Sequence, residues 1–283
     1  METGESTHKL TIKTDLAMLF GTLQRSLQRA RHMAAFGLIA ADEITKQELQ
    51  LPGAFFQMVP AANVALGFET ARSEFKRWTL TGALRDSVES VHAFLDEARP
   101  VCFLYFVAGK PAVTGVDWDK GITKDTKRFH RLELPDKIKY LGKKYDPSLI
   151  PEFAEELITI NLARNCLVHR NGIVSDDDSN CEEGLLMKWR RMEIVATGYG
   201  GERVVTAMAD VEAGENVVLR HAKAQKLFRK GELLTFGADE FGELCLTLFF
   251  FGNQLVQNIE RYGRSKGIHF DAPRRNVTGQ SDT

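Results

Sequence analysis

Apolar positions recur at three- and four-residue steps over most of this chain, and the exceptions gather in one late stretch. Across residues 14 to about 40, Leu16, Leu19, Phe20, Leu23, Leu27 and Ala34 follow the helical period, with Gln24, Arg25, Gln28, Arg29 and Arg31 between them. The spacing predicts a long amphipathic helix. A break follows at Leu51-Pro52-Gly53, and Pro60 suits the first turn of another helical region. Between residues 68 and 98, Phe75, Trp78, Leu80, Leu84, Val88, Val91, Phe94 and Leu95 predict a second long helix that ends before Pro100. Residues 101–107 are apolar enough for a helical extension or a short buried strand, and periodicity does not choose between them.

Leu134-Pro135-Asp136 opens a short helix carrying Ile138, Tyr140 and Leu141, with an end expected near Gly142. Pro151 fits the first turn of a helix running to about Asn171, where Glu152, Glu155 and Glu156 favour the positive end of the helix dipole and Gly172 is a natural stop. The period then changes. Short β-branched or alternating runs at 186–197, 204–208 and 217–219, separated by Gly200-Gly201 and Gly214, predict a small β-hairpin insertion. Gly237-Ala238-Asp239 supplies a cap, and Phe241, Leu244, Leu248, Phe251, Leu255 and Ile259 mark a final core helix. A polar tail from Gly263 reads as disordered.

Composition narrows the function. The 283 residues are 43% apolar, enough for a real core, which excludes global disorder. A formal charge of -1 excludes a chain that coats nucleic acid along its whole surface, so any polyanion site must be local. One local patch exists: residues 120–144 carry Lys120, Lys124, Lys127, Arg128, Arg131, Lys137, Lys139, Lys143 and Lys144 against Asp125, Glu133 and Asp136. It reads as a solvated surface or as a phosphate-attracting one. Cys102, Cys166, Cys181 and Cys245 form no CxxC pair, which argues against a structural metal and for a reduced compartment. The N-terminal residues lack a basic region followed by an apolar one, and the apolar run 244–251 is too short for a membrane helix. A cytoplasmic protein with no membrane association is expected. Cys166 reads as a small buried apolar residue, the tryptophans as packing residues with Trp118 beside the basic stretch a possible base-stacker, and Asp176-Asp177-Asp178 as a solvated turn.

The chemically informative stretch is Asn161-Leu162-Ala163-Arg164-Asn165-Cys166-Leu167-Val168-His169-Arg170-Asn171-Gly172. On an ideal helix Arg164 projects into the apolar arc of Phe153, Leu157, Ile160 and Leu167, a costly position for an unpaired cation. Asn165 and His169 stand one turn apart, which lets the amide hold the imidazole. His169 lies about 140° around the helix from Arg164. One copy of the motif therefore joins the two only through arginine reach or a frayed end, whereas two copies meeting at an interface converge more easily.

Arg164-Asn165-Cys166-Leu167-Val168-His169, followed by Arg170-Asn171-Gly172, resembles the R-x4-H signature of the HEPN superfamily of helical-bundle proteins. Leu134-Pro135-Asp136-Lys137-Ile138-Lys139-Tyr140-Leu141 also resembles HEPN-like bacterial proteins, and Phe75-Lys76-Arg77-Trp78 looks like the start of the first bundle helix. The resemblance implies a mainly α fold: a HEPN-like bundle at 57–262 with a β-hairpin insertion around 185–236, after a helical extension at 1–56 and before a tail at 263–283. It also implies a metal-independent endoribonuclease with no cofactor, of toxin or antiviral-defence type, working on tRNA, mRNA or rRNA as a homodimer, with an antitoxin or regulator as a further partner. By that resemblance His169 is general base or acid, Arg164 stabilises the transition state, and Asn165 orients the imidazole or contacts phosphate. Lys124, Lys127, Arg128, His130, Arg131 and Arg170 would contact RNA. The residue types suit 2′-OH attack on the adjacent phosphate, because histidine exchanges protons near neutrality and arginine binds phosphoryl oxygens in bidentate form. The rival reading is a non-catalytic bundle that binds a protein or a nucleotide.

Overall fold

The computed structural model describes residues 14–45, 67–108, 118–198, 200–205 and 211–270. The expected break at 51–53, the start at Pro60 and the part of the tail beyond 270 lie outside the described residues, as does the side chain of Trp118. Among the described residues are six helices and a three-stranded antiparallel sheet.

Helix α1 (Leu16–Glu43) starts where the Asp15 side chain accepts the Met18 N–H at 2.8 Å; of the predicted positions it buries Leu19, Leu23, Leu27 and Ala34 and half-buries Leu16 and Phe20, and it also buries Ala30 and Ala41. Helix α2 (Phe68–Ala108) differs from expectation by running through Pro100. Proline removes one N–H and leaves the Asp96 carbonyl without its helical donor. Pro100 lies on the exposed side of α2, while Ala98, Arg99, Cys102 and Tyr105 keep the buried stripe going past it. Residues 101–107 are therefore helical extension, not strand.

Helix α3 (Trp118–His130) lies in the basic stretch, and α4 (Leu134–Lys144) opens at Leu134-Pro135 as expected. Its end falls beyond Gly142, because that glycine serves packing: a side-chain carbon there would collide with Ile150. Helix α5 (Ala154–His169) starts one turn after Pro151, and the chain leaves it through Asn171 and Gly172, both at positive φ (52° and 82°). There the Gly172 N–H reaches the Cys166 carbonyl at 3.1 Å.

The insertion is larger than a hairpin. Strand β1 (Gly184–Gly198) pairs with β2 (Gly201–Val205) along only its last five residues, but with β3 (Asn216–Arg229) from Gly184↔Arg229 to Thr197↔Asn216. The mostly exposed, charge-rich sequence of β3 hides that length, since one face of a ribbon that projects into water needs no apolar alternation. Where β2 is absent, the open edge of β1 is closed by side chains at alternate residues. Asn180 bonds the N–H and C=O of Leu186 (2.7 and 3.0 Å), Thr159 those of Lys188 (2.9 and 3.1 Å), and Thr247 those of Arg190 (2.9 and 3.2 Å).

Helix α6 (Ala238–Ser265) buries all six predicted positions from Phe241 to Ile259. Beyond Gly263 the chain stays ordered against the bundle through Phe270, whose ring meets Tyr105 edge-on at 5.9 Å. Residues of α1, α2, α4, α5, α6 and β1 share one core, with Leu23, Leu84, Leu95, Ile160, Leu248 and Leu255 at its centre. No helix among the described residues is long and apolar enough to cross a membrane.

Candidate active site

Helix α5 is pinned along its length before it reaches the motif. Glu156, almost fully buried in its first turn, receives Arg190 Nε at 2.6 Å, and Thr159 holds the β1 backbone. At its far end Arg170 forms a two-pronged ion pair with the fully buried Asp178, which also accepts Ser175 N–H and Oγ–H at 2.9 Å each. Burial disfavours the Asp178 anion, but the bonds from Arg170 and Ser175 outweigh it and hold the carboxyl below its usual range. The acidic turn expected to be solvated thus buries its last member as the anchor of Arg170. The guanidinium expected to contact RNA is engaged at that anchor.

Arg164 sits at the seam between α5 and α2, one-fifth exposed, and ion-pairs with Glu89 of α2. Its Nη1 also donates to Asn165 Oδ1 at 2.9 Å, and its Nε is buried without a partner. Burial first, then Arg85 on the neighbouring turn of α2, lowers its pKa from the ordinary value. The apolar-arc cost foreseen for this cation is met by Glu89. Asn165 spends its carboxamide oxygen on Arg164. His169 occupies the last turn of α5, exposed, and that turn is intact helix. Val168 beside it is 40% exposed.

The periodicity of α2 extends this site. Glu89, His92, Asp96 and Arg99 fall at steps of three and four, on one face spanning about 15 Å of helix. Each faces a different partner. Glu89 holds Arg164, and His92 stands beside the buried Asn161 of α5. Asp96 accepts the buried Lys137 at 2.7 Å and His130 at 2.8 Å, and Arg99 reaches Asp125 and, at 2.5 Å, Thr126 of α3. Burial, then the Lys137 charge, lowers the His92 pKa, which favours the neutral imidazole. From the sequence His92 reads only as a satisfied structural histidine, and Glu89 carries no reading. The available signal was their spacing with Asp96 and Arg99, four ionisable groups on one stripe of the helix.

Helix α3 is latched to this seam by Asp125, which takes Arg99, Tyr140 and Lys144 together. Phe129 inserts into the core beneath it. Lys124, Lys127, Arg128, Arg131 and Lys143 are exposed with no ion pair among the described residues, Lys139 is exposed with Asp136 at 3.7 Å, and the side chain of Lys120 lies outside the described residues. Lys137 and Lys144 are spent internally. Among the described residues no group of three or more His, Cys, Asp or Glu stands close enough to hold a metal ion. No family model, no curated protein and no solved structure matches this chain.

Proposed function

We propose that the chain is a HEPN-type, metal-independent endoribonuclease, with Arg164 and His169 from two copies completing each cleavage site. The observation that carries this reading is the disposition of the motif on an intact helix: Arg164 is fixed at the α2–α5 seam with its guanidinium still reachable, and His169 stands open to solvent one turn and a half later. Because α5 does not fray, the two groups point about 140° apart within one chain, so a second copy over the Val168–His169 end supplies the complementary group.

In such a site His169 takes the 2′-hydroxyl proton or gives one to the departing 5′ oxygen. Arg164 exchanges Glu89 for the non-bridging phosphate oxygens as negative charge builds, and Asn165 keeps the guanidinium in register. The products carry 2′,3′-cyclic phosphate and 5′-hydroxyl ends. Exposed Lys124, Lys127, Arg128 and Arg131 would track the phosphate backbone, with affinity falling as salt rises.

The test incubates the protein, His169→Ala and Arg164→Ala with total RNA and tRNA in EDTA. Cleavage by the unmodified chain alone is expected; equal RNA patterns from all three proteins overturn the reading. A second reading, a non-catalytic bundle, is favoured by one observation: Glu89 already neutralises Arg164. It requires that Arg164→Ala lower the melting temperature with no RNA cleavage by any form.

A further inference from the structure

The outward face of α1 is unexpectedly apolar for a helix that already buries its opposite side. At about 100° per residue, Met33, Phe36 and Ile39 share an arc of about 120° centred away from Leu23 and Leu27, and their exposures are 60%, 73% and 58%. Helix α2 runs antiparallel beside it, as the Lys76–Asp42 pair and the packing of Thr79 against Gly37 fix. On α2, Trp78, 68% exposed, has Phe75 stacked on it at 6.0 Å between ring centroids, and on α1 the three apolar residues stand on successive turns as one contiguous patch. A contiguous patch of this kind marks an interface on a water-facing protein.

The charges around the patch are symmetric about Phe36. Arg29 lies seven positions before it and Glu43 seven after, both exposed and on the same arc, and neither has an ion pair among the described residues. We propose that this face is a contact with a second copy of the chain, the two α1 helices crossing antiparallel about a two-fold axis at Phe36. Residues equidistant from Phe36 then meet: Phe36 packs on Phe36 of the partner subunit, Met33 on Ile39 of the partner subunit, and Arg29 pairs with Glu43 of the partner subunit. Such self-complementarity is what an isologous interface requires. An anionic lipid surface fits less well, because Asp42 and Glu43 sit at the apolar end of the stripe. The contact involves no residue of the α5 motif and does not depend on the ribonuclease reading.

The full chain is examined without RNA by sedimentation velocity over a range of concentrations. Phe36→Asp is expected to halve the assembly mass with far-UV circular dichroism unchanged, since the residue is exposed. Arg29→Glu and Glu43→Arg are each expected to weaken association about fivefold or more, and the double swap to return within about twofold of the starting value. Phe36→Cys in a Cys181→Ser background should cross-link on mild oxidation, because a residue on the axis faces itself. A monomer at every concentration, an unchanged mass for Phe36→Asp, or a double swap no better than the singles overturns the proposal. Phe36-dependent binding of a monomer to phosphatidylserine vesicles does the same.

Discussion

Asp125→Asn removes one charge from the latch that seats α3, and the consequence can be worked from its surroundings. Arg99 is 1% exposed, and Asp125 neutralises it while also accepting Tyr140 and Lys144, the latter at 2.6 Å. Burial alone would raise the Asp125 pKa, but hydrogen bonds from Lys144, Tyr140 and Arg99 outweigh it and hold the carboxyl at about 2, against an ordinary 3.8. That depression corresponds to about 2.4 kcal/mol of folding free energy. Leaving a buried cation unpaired gives about 3–5 kcal/mol by a separate route. A loss of about 2–4 kcal/mol is therefore expected, lowering the melting temperature by about 5–12 °C in a domain of this size.

The sign with pH follows from the depressed pKa. The contribution is complete above pH about 4, where the unfolded carboxyl is ionised, and disappears as pH falls toward about 2. Urea melts at pH 7 and at pH 2.5 should thus separate the two proteins widely in the first case and little in the second. Adding Arg99→Met to Asp125→Asn should recover part of the loss, since the double variant has no stranded charge in the core. A Asp125→Asn variant within about 0.5 kcal/mol of the unmodified chain at pH 7, or an equal gap at both pH values, would refute the reasoning.

Thiol chemistry offers a second check: Cys181 is exposed, whereas burial pushes Cys102 to about 12 and Cys245 to about 11, and burial with Asp178 alongside pushes Cys166 to about 12. A thiol-specific chromogenic reagent at pH 8 should modify one cysteine in the native chain and four in denaturant; two fast-reacting thiols would contradict the burial of the other three. Asp178→Asn should cost about 2–4 kcal/mol and speed amide exchange at residues 170–175, because Arg170 loses its buried counter-charge and the single amide oxygen cannot serve both Arg170 and Ser175 as the carboxylate does. A variant with unchanged exchange there would show that the turn is held by the backbone bonds to Glu232 and Leu234 instead.

The parts of the fold that follow from local rules were legible in the sequence. Leu19, Leu23 and Leu27, or Phe241 to Ile259, declare their helices because one stripe faces one core. Arg164, Asn165 and His169 fall on one helix, as their spacing predicts. What local rules miss is set by partners distant in sequence. Pro100 stays helical because the buried stripe of α2 continues on both sides of it, and Lys137 is buried because Asp96 waits one helix away. Arg164 is stabilised by Glu89, a contact that no reading of residues 161–172 contains. The length of β3 escaped for a related reason, since its pairing with β1 fixes it and its own sequence carries little pattern.

The close approach of α1 to α6 carries a consequence in time. A side-chain carbon at Gly252 would collide with Leu23, so the two helices pack backbone to side chain at that point, although they lie far apart in the sequence. During synthesis at about 5–20 residues per second, the roughly 230 residues between them take about 10–45 s to emerge. Throughout that interval α1 and α2 can pair, yet the Leu19–Leu23–Leu27 stripe has no α6 to cover it. The nascent chain therefore carries an uncovered apolar stripe until residues 238–265 have emerged, a long window for chaperone capture and a reason for truncation ahead of α6 to cost solubility as well as stability.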